Sequence, residues 1–132
     1  MAANRLQIAG SQNIANVLAA MALADQLGAD LNEVAFTAIA KFKGLPNRCE
    51  QVAVINRVTW VNDSKGTNVG ATCAAIRGFD QPKVMILGGQ GKSADFSPLR
   101  GPLGESTRAA VLIGEDAERI CAAIGEQVAT HY

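Results

Sequence analysis

Two short apolar runs, at Lys83–Leu87 and Ala109–Ile113, constrain this chain more than any other feature. Neither alternates polar with apolar residues, as a strand with one wet face does. Such a run suits a strand covered on both faces, the habit of parallel sheets. Glycine follows each run, Gly88-Gly89 after the first and Gly114 after the second. Helical patterns alternate with the strands. Val69–Ile76 is a short Ala-rich helix, a helix-like loop separates the two runs, and Asp116–Ile124 follows the second. Alternation of strand and helix predicts an α/β fold, a mostly parallel sheet with helices on both sides. Ahead of it, Gln51–Ile55 and Val58–Asn62 predict a hairpin around Asn56-Arg57.

The first forty residues have a different period. Ile14, Val17, Leu18, Met21 and Leu27 follow a helical stripe that Gly28 can stop, and Ser11 or Asn13 could cap its start. Asp30 then opens a second helix, with Glu33 three residues on as a capping-box partner. Leu31, Val34, Ala35, Ala38 and Ile39 form its apolar face. Two helices with no strand between them build no core alone, so they read as the tail of something larger. Gly and Pro punctuate Lys41–Arg48, which places a boundary there: residues 1–43 helical, residues 44–132 α/β.

Composition narrows the function. Twelve basic residues balance twelve acidic ones in 132 residues, which excludes the basic footprint of a general nucleic-acid binder and a polybasic membrane segment. A chain 48% hydrophobic and 18% charged is globular rather than disordered. Cys49, Cys73 and Cys121 are odd in number and far apart, and form neither a disulfide framework nor a zinc pattern. His131 is the one imidazole, which speaks against a His-based metal site. No run of eighteen apolar residues exists, and Met1–Ala9 lacks the apolar core of a signal peptide. The cytoplasm is the expected compartment.

Chemistry in open α/β sheets sits beyond the carboxyl ends of strands. The first exit, Asp63-Ser64-Lys65-Gly66-Thr67-Asn68, offers a carboxylate, a hydroxyl and an ammonium ahead of a helix start. It reads either as a polar loop with Thr67 or Asn68 as cap, or as an anion or nucleotide site. The second, Gly88-Gly89-Gln90-Gly91-Lys92-Ser93-Ala94-Asp95-Phe96, is no Walker A loop, because Ile86 stands where its first glycine belongs. It still lets backbone approach a ligand and presents Lys92 as a point charge, unless it is a plain glycine turn. At the third, Gly114-Glu115-Asp116, Asp116 is most simply an N-cap or first-turn acid. Arg48, beside the boundary, reads equally as a surface charge and as a hinge arginine reaching a ligand.

Four segments in this order and separation resemble the Mur ligase family. They are Gly10-Ser11-Gln12-Asn13-Ile14-Ala15-Asn16, Phe42-Lys43-Gly44-Leu45-Pro46-Asn47-Arg48-Cys49-Glu50, Trp60–Asn68 and Leu87–Phe96. The pairing of Asp63–Asn68 with Gly88–Phe96 points to the branch that adds D-glutamate, and away from siblings such as the folylpolyglutamate type.

The resemblance implies a three-domain cytoplasmic enzyme of peptidoglycan synthesis. It would use ATP and Mg2+ to activate the carboxylate of UDP-N-acetylmuramoyl-L-alanine as an acyl phosphate, which the D-glutamate amine then attacks. Residues 1–43 would end the central ATP-binding domain, and residues 44–132 would form most of a Rossmann-like C-terminal domain. By match of position, Asn16 and Arg48 lie near the ATP, Asp63 holds the ribose, and Lys65 lies beside the phosphates as a catalytic group. Thr67 and Lys92 hold D-glutamate. The family's phosphate loop, its magnesium ligands and a C-terminal Ser-Pro-Ala…Ser-Phe-Asp segment are not found in this sequence. A fragment cut at both ends, inactive alone, is therefore expected. Asn47 and Gln12 stand where relatives carry His, and Gly66 where Ala is usual. The alternative is a stand-alone, non-catalytic α/β module that binds a nucleotide or anion.

Overall fold

The computed structural model describes residues 3–132. The chain divides into two compact units, Met1–Lys65 and Gly66–Tyr132.

The first unit holds two helices and a hairpin. Helix α1 spans Ser11–Gln26 and α2 spans Glu33–Lys41. Neither capping expectation holds. No side chain caps α1: Gly10 occupies the N-cap, and Asn13 instead donates from Nδ2 to the Ala9 carbonyl at 2.7 Å. The cap of α2 is Asn32, whose Oδ1 accepts from Val34 N at 2.9 Å and Ala35 N at 3.2 Å. Asp30 steadies that cap by accepting from Asn32 Nδ2 at 2.9 Å. An amide two residues nearer the helix reaches the free N–H groups better than Asp30 can. No residue of either helix is buried within the described structure, and Leu18, Leu23 and Leu27 are exposed.

Strands β1 (Glu50–Ile55) and β2 (Val58–Asn62) pair antiparallel, with Ile55 opposite Val58. Asn56 and Arg57 both have positive φ, 50° and 65°, the signature of a two-residue type I′ turn. The expected hairpin is present, with an irregularity between Gln51 and Ala53.

The second unit is a three-stranded sheet in the order β3-β4-β5, parallel throughout. Its elements are α3 (Val69–Arg77), β3 (Lys83–Gly88), α4 (Arg100–Ser106), β4 (Thr107–Ile113), α5 (Ala117–Ile124) and β5 (Ala129–His131). A 3₁₀ turn at Ser97–Leu99 leads into α4. The core gathers Cys73 and Ile76 of α3, Leu87 of β3, Leu103 of α4, Ala110 and Leu112 of β4, and Ile120 and Ile124 of α5. The α5 residues are spaced so that Ala117, Ile120 and Ile124 share one face. Fully burying one leucine or isoleucine of this kind contributes roughly 1.5–3 kcal/mol.

Within this unit the helices cover one face of the sheet only, which corrects the expectation of helices on both sides. The cause is topological. When successive parallel strands are laid down in one direction, right-handed crossovers put every connecting helix on the same side. Leu87, Ala110 and Leu112 face the helices, whereas Val84, Ile86 and Ile113 stay 53–59% exposed. The apolar runs therefore do not report two covered faces in this unit.

Candidate functional site

In the first unit, the Asn47–Cys49 segment is tied to the exit of β2. Cys49 N donates to Asp63 Oδ1 at 2.9 Å, and Lys65 N donates to the Asn47 carbonyl at 3.1 Å. Asn62 Nδ2 donates to Asn47 Oδ1 at 2.9 Å, and Asn47 N donates to Glu50 Oε2 at 2.8 Å. Asn47 and Cys49 are both left-handed, with φ of 61° and 47°. Such backbone persists only where its surroundings hold it. The result brings the backbones of Arg48, Asp63 and Lys65 together, with the Arg48 and Lys65 side chains exposed.

Asn16 lies one helical turn after Gln12, whose Nε2 donates to Cys49 Sγ at 3.0 Å. Asn16 itself is exposed, and its side chain bonds only to Asn13 Oδ1, from Nδ2 at 3.3 Å, among the described residues. The four nucleotide-side residues expected from sequence thus share one unit.

Asp63 has a second consequence. Burial pushes the Cys49 thiol up to about 11, and the neighbouring Asp63 carboxylate adds to the rise. Cys121 is the opposite case: hydrogen bonding to Tyr132 first, then Thr130, holds its thiol below the ordinary value. The thiolate is the reactive form. Iodoacetamide at pH 8, with sites mapped by mass spectrometry, is expected to label Cys121 well before Cys49. Equal rates would contradict this ordering.

In the second unit, Thr67 and Asn68 precede α3. Asn68 is the cap, its Oδ1 accepting from Ala71 N at 2.8 Å. Thr67 is therefore not needed as a cap, and its exposed hydroxyl is free of hydrogen bonds among the described residues. Asn68→Ala should cost about 1 kcal/mol of stability, read from denaturant unfolding of the chain. A change near zero would remove Asn68 as the cap.

Lys92 sits on the loop leaving β3. Lys92 and Ser93 are both left-handed, with φ of 48° and 64°. The Lys92 ammonium is exposed and makes no ion pair among the described residues. Ala94 N closes the turn on the Gly91 carbonyl at 2.9 Å.

Sequence reasoning missed the groups behind this loop. Asp116 occupies the N-cap position of α5 but makes no capping bond. Its carboxylate turns instead to the β3 loop, accepting from Gly91 N and from Arg119. These two bonds, the Gly91 one foremost, hold its carboxyl below the usual aspartate range. The stability they lend is present above the ordinary aspartate pKa and is lost as pH falls through the lowered one. The only hint in sequence was an arginine three residues after the aspartate.

Residues 47–132 match the family model described as Mur ligase, glutamate ligase domain. The chain belongs to the Mur ligase family. The matched part of this Mur ligase crosses from the first compact unit into the second. Relatives named UDP-N-acetylmuramoylalanine–D-glutamate ligase are similar over nearly the whole chain. The one from Nitrosospira multiformis is 52% identical over 96% of this chain and 26% of its own length. The one from Nitrosococcus oceani is 52% identical over 91% of this chain and 27% of its own length. The one from Acinetobacter baylyi is 48% identical over 93% of this chain and 29% of its own length. This Mur ligase chain thus spans about a quarter of the length of the curated relatives it matches.

Proposed function

We propose that this chain is the C-terminal part of an ATP-dependent ligase that joins D-glutamate to UDP-N-acetylmuramoyl-L-alanine in peptidoglycan synthesis, in the cytoplasm. Residues 1–43 are proposed to end the central ATP-binding domain and residues 44–132 to belong to the C-terminal domain. The observation that carries the reading is the match to the glutamate ligase domain over residues 47–132. The chemistry of the exposed groups agrees with it. No helix among the described residues is long and apolar enough to cross a membrane.

In the proposed reaction, a carboxylate oxygen of the muramoyl substrate attacks the γ-phosphorus of ATP and ADP leaves. The D-glutamate amine then attacks the acyl carbon, and phosphate leaves as the amide forms. Phosphoryl transfer depends mainly on positioning and charge stabilisation. Lys65 is proposed to lie beside the phosphates, Asp63 to hold the ribose, and Asn16 and Arg48 to flank the nucleotide. Asp63 suits that role: it is half-buried and held by Cys49 N through one oxygen, so the other can accept from a ribose hydroxyl. Thr67 and Lys92 are proposed to take D-glutamate. That substrate brings two carboxylates, for which a hydroxyl and an ammonium without partners among the described residues are suitable. Among the described residues no group of three His, Cys, Asp or Glu converges to hold a metal ion. The Mg2+ ligands are proposed to lie in the remainder of the ligase.

The full-length ligase carrying this segment is expected to release ADP with ATP, D-glutamate and UDP-N-acetylmuramoyl-L-alanine, and the 132-residue chain alone is not. Turnover by the chain alone at enzyme rates would overturn the reading. Micromolar nucleotide binding by the isolated chain in calorimetry would favour a self-sufficient binding module instead.

A further inference from the structure

We infer that Asp116 and Arg119 are positioning residues for Lys92, clamping the loop that presents its ammonium to the incoming amino acid. The inference rests on the proposed D-glutamate-adding reading. Two consecutive left-handed residues, Lys92 and Ser93, make a strained turn that needs outside support. The support is bilateral. Asp116 grips the residue just before Lys92, its Oδ2 accepting from Gly91 N. Arg119 grips the residue just after Ser93, its Nη2 donating to the Ala94 carbonyl at 3.1 Å. The two gripping side chains are joined to each other by the Arg119 Nη1 bond to Asp116 Oδ1.

The clamp is itself anchored. Asp116 is 5% exposed, and its N–H donates to the Gly89 carbonyl at 3.2 Å. The Arg119 guanidinium lies over the Phe96 ring, 5.3 Å from its centroid, which adds a cation–π hold on it. A Cβ at Gly91 would meet Phe96 Cζ at 2.5 Å and Asp116 Oδ2 at 3.0 Å, so a side chain there would displace the groups that hold the loop. The β3 and β4 exits thus form one connected structure with Lys92 at its outer edge. A flexible four-carbon side chain delivers charge to a fixed point only if its backbone is fixed.

The test is steady-state kinetics of the full-length ligase carrying this segment. Arg119→Ala is expected to raise the D-glutamate KM about tenfold or more, with the ATP KM unchanged. Arg119→Lys keeps the charge beside Asp116 but lacks the fork that also reaches Ala94, so its KM should fall between. If Arg119 acts through Lys92, the Lys92→Ala/Arg119→Ala double variant is no worse than Lys92→Ala alone. Should Arg119→Ala not fold, Arg119→Lys enters the same cycle in its place. Additive losses, equal rises in both KM values, or an unmoved D-glutamate KM would each overturn the clamp while leaving the ligase reading intact. A wild-type enzyme without D-glutamate-dependent ADP release would overturn both.

Discussion

Lys92→Ala is expected to lower kcat/KM for D-glutamate by about 10- to 150-fold in the full-length ligase, with the ATP KM unchanged. The range follows from the roughly 1.5–3 kcal/mol that a hydrogen bond to a charged group contributes. The substitution isolates the ammonium. Lysine and alanine bear a similar cost at the left-handed φ of 48°, so the loop backbone has little reason to move. The ammonium has no partner among the described residues, so its removal leaves no orphaned carboxylate behind. Lys92→Arg keeps the charge but replaces a point donor with a planar fork, and should recover only part of the loss. A kcat/KM for D-glutamate within twofold of wild type would remove Lys92 from the site.

Gly88→Ala is expected to destabilise the chain by on the order of 3 kcal/mol. Gly88 ends β3 with φ of 152°, and a Cβ there would lie 1.8 Å from the Ile113 carbonyl oxygen. That oxygen is backbone of the neighbouring strand and accepts from Gly89 N at 3.1 Å, so it has no room to retreat without breaking the joint between the two exits. Gly101 in α4 is the control. A Cβ there meets nothing within 4 Å, and its φ is not positive. Gly101→Ala should be neutral or stabilising by up to about 1 kcal/mol. Denaturant melts of both variants give the comparison. Equal stability of the two would contradict the account of the β3–β4 joint.

The parts of the fold legible in sequence are those that local patterning decides. The hairpin, β3, β4, α3 and α5 all lie within a few residues of where period and turn chemistry put them. Strand β5 was not legible: Ala129–His131 is three residues long, and Thr and His give it no apolar period. It exists because Ala109, Ala110 and Val111 offer it an edge to pair with. Asn68 caps α3 as one of the two residues its sequence offers, but the starts of α1 and α2 are not legible, because several polar residues crowd each and only geometry decides which, if any, caps. One-sided coverage was invisible because an apolar run records what a strand tolerates, not what covers it.

The site divides the same way. Of the residues proposed to touch ligands, Asp63, Lys65 and Lys92 stand out by local chemistry, whereas Asn16, Arg48 and Thr67 have sufficient local explanations and are proposed from the family resemblance. The clamp behind Lys92 was not legible, because an aspartate at a helix start already has a sufficient local explanation. Asp116 accepts from a backbone N–H on the exit loop of the neighbouring strand, 25 residues back in the chain, which no local pattern encodes.

Whether this segment belongs to a D-glutamate-adding ligase is decided by the amino-acid dependence of ADP release. Full-length ligase carrying this segment would be given ATP and UDP-N-acetylmuramoyl-L-alanine, with D-glutamate, L-glutamate or L-lysine added singly. ADP release is expected with D-glutamate and little with the other two. Release that is no faster with D-glutamate than with L-glutamate or L-lysine would contradict it.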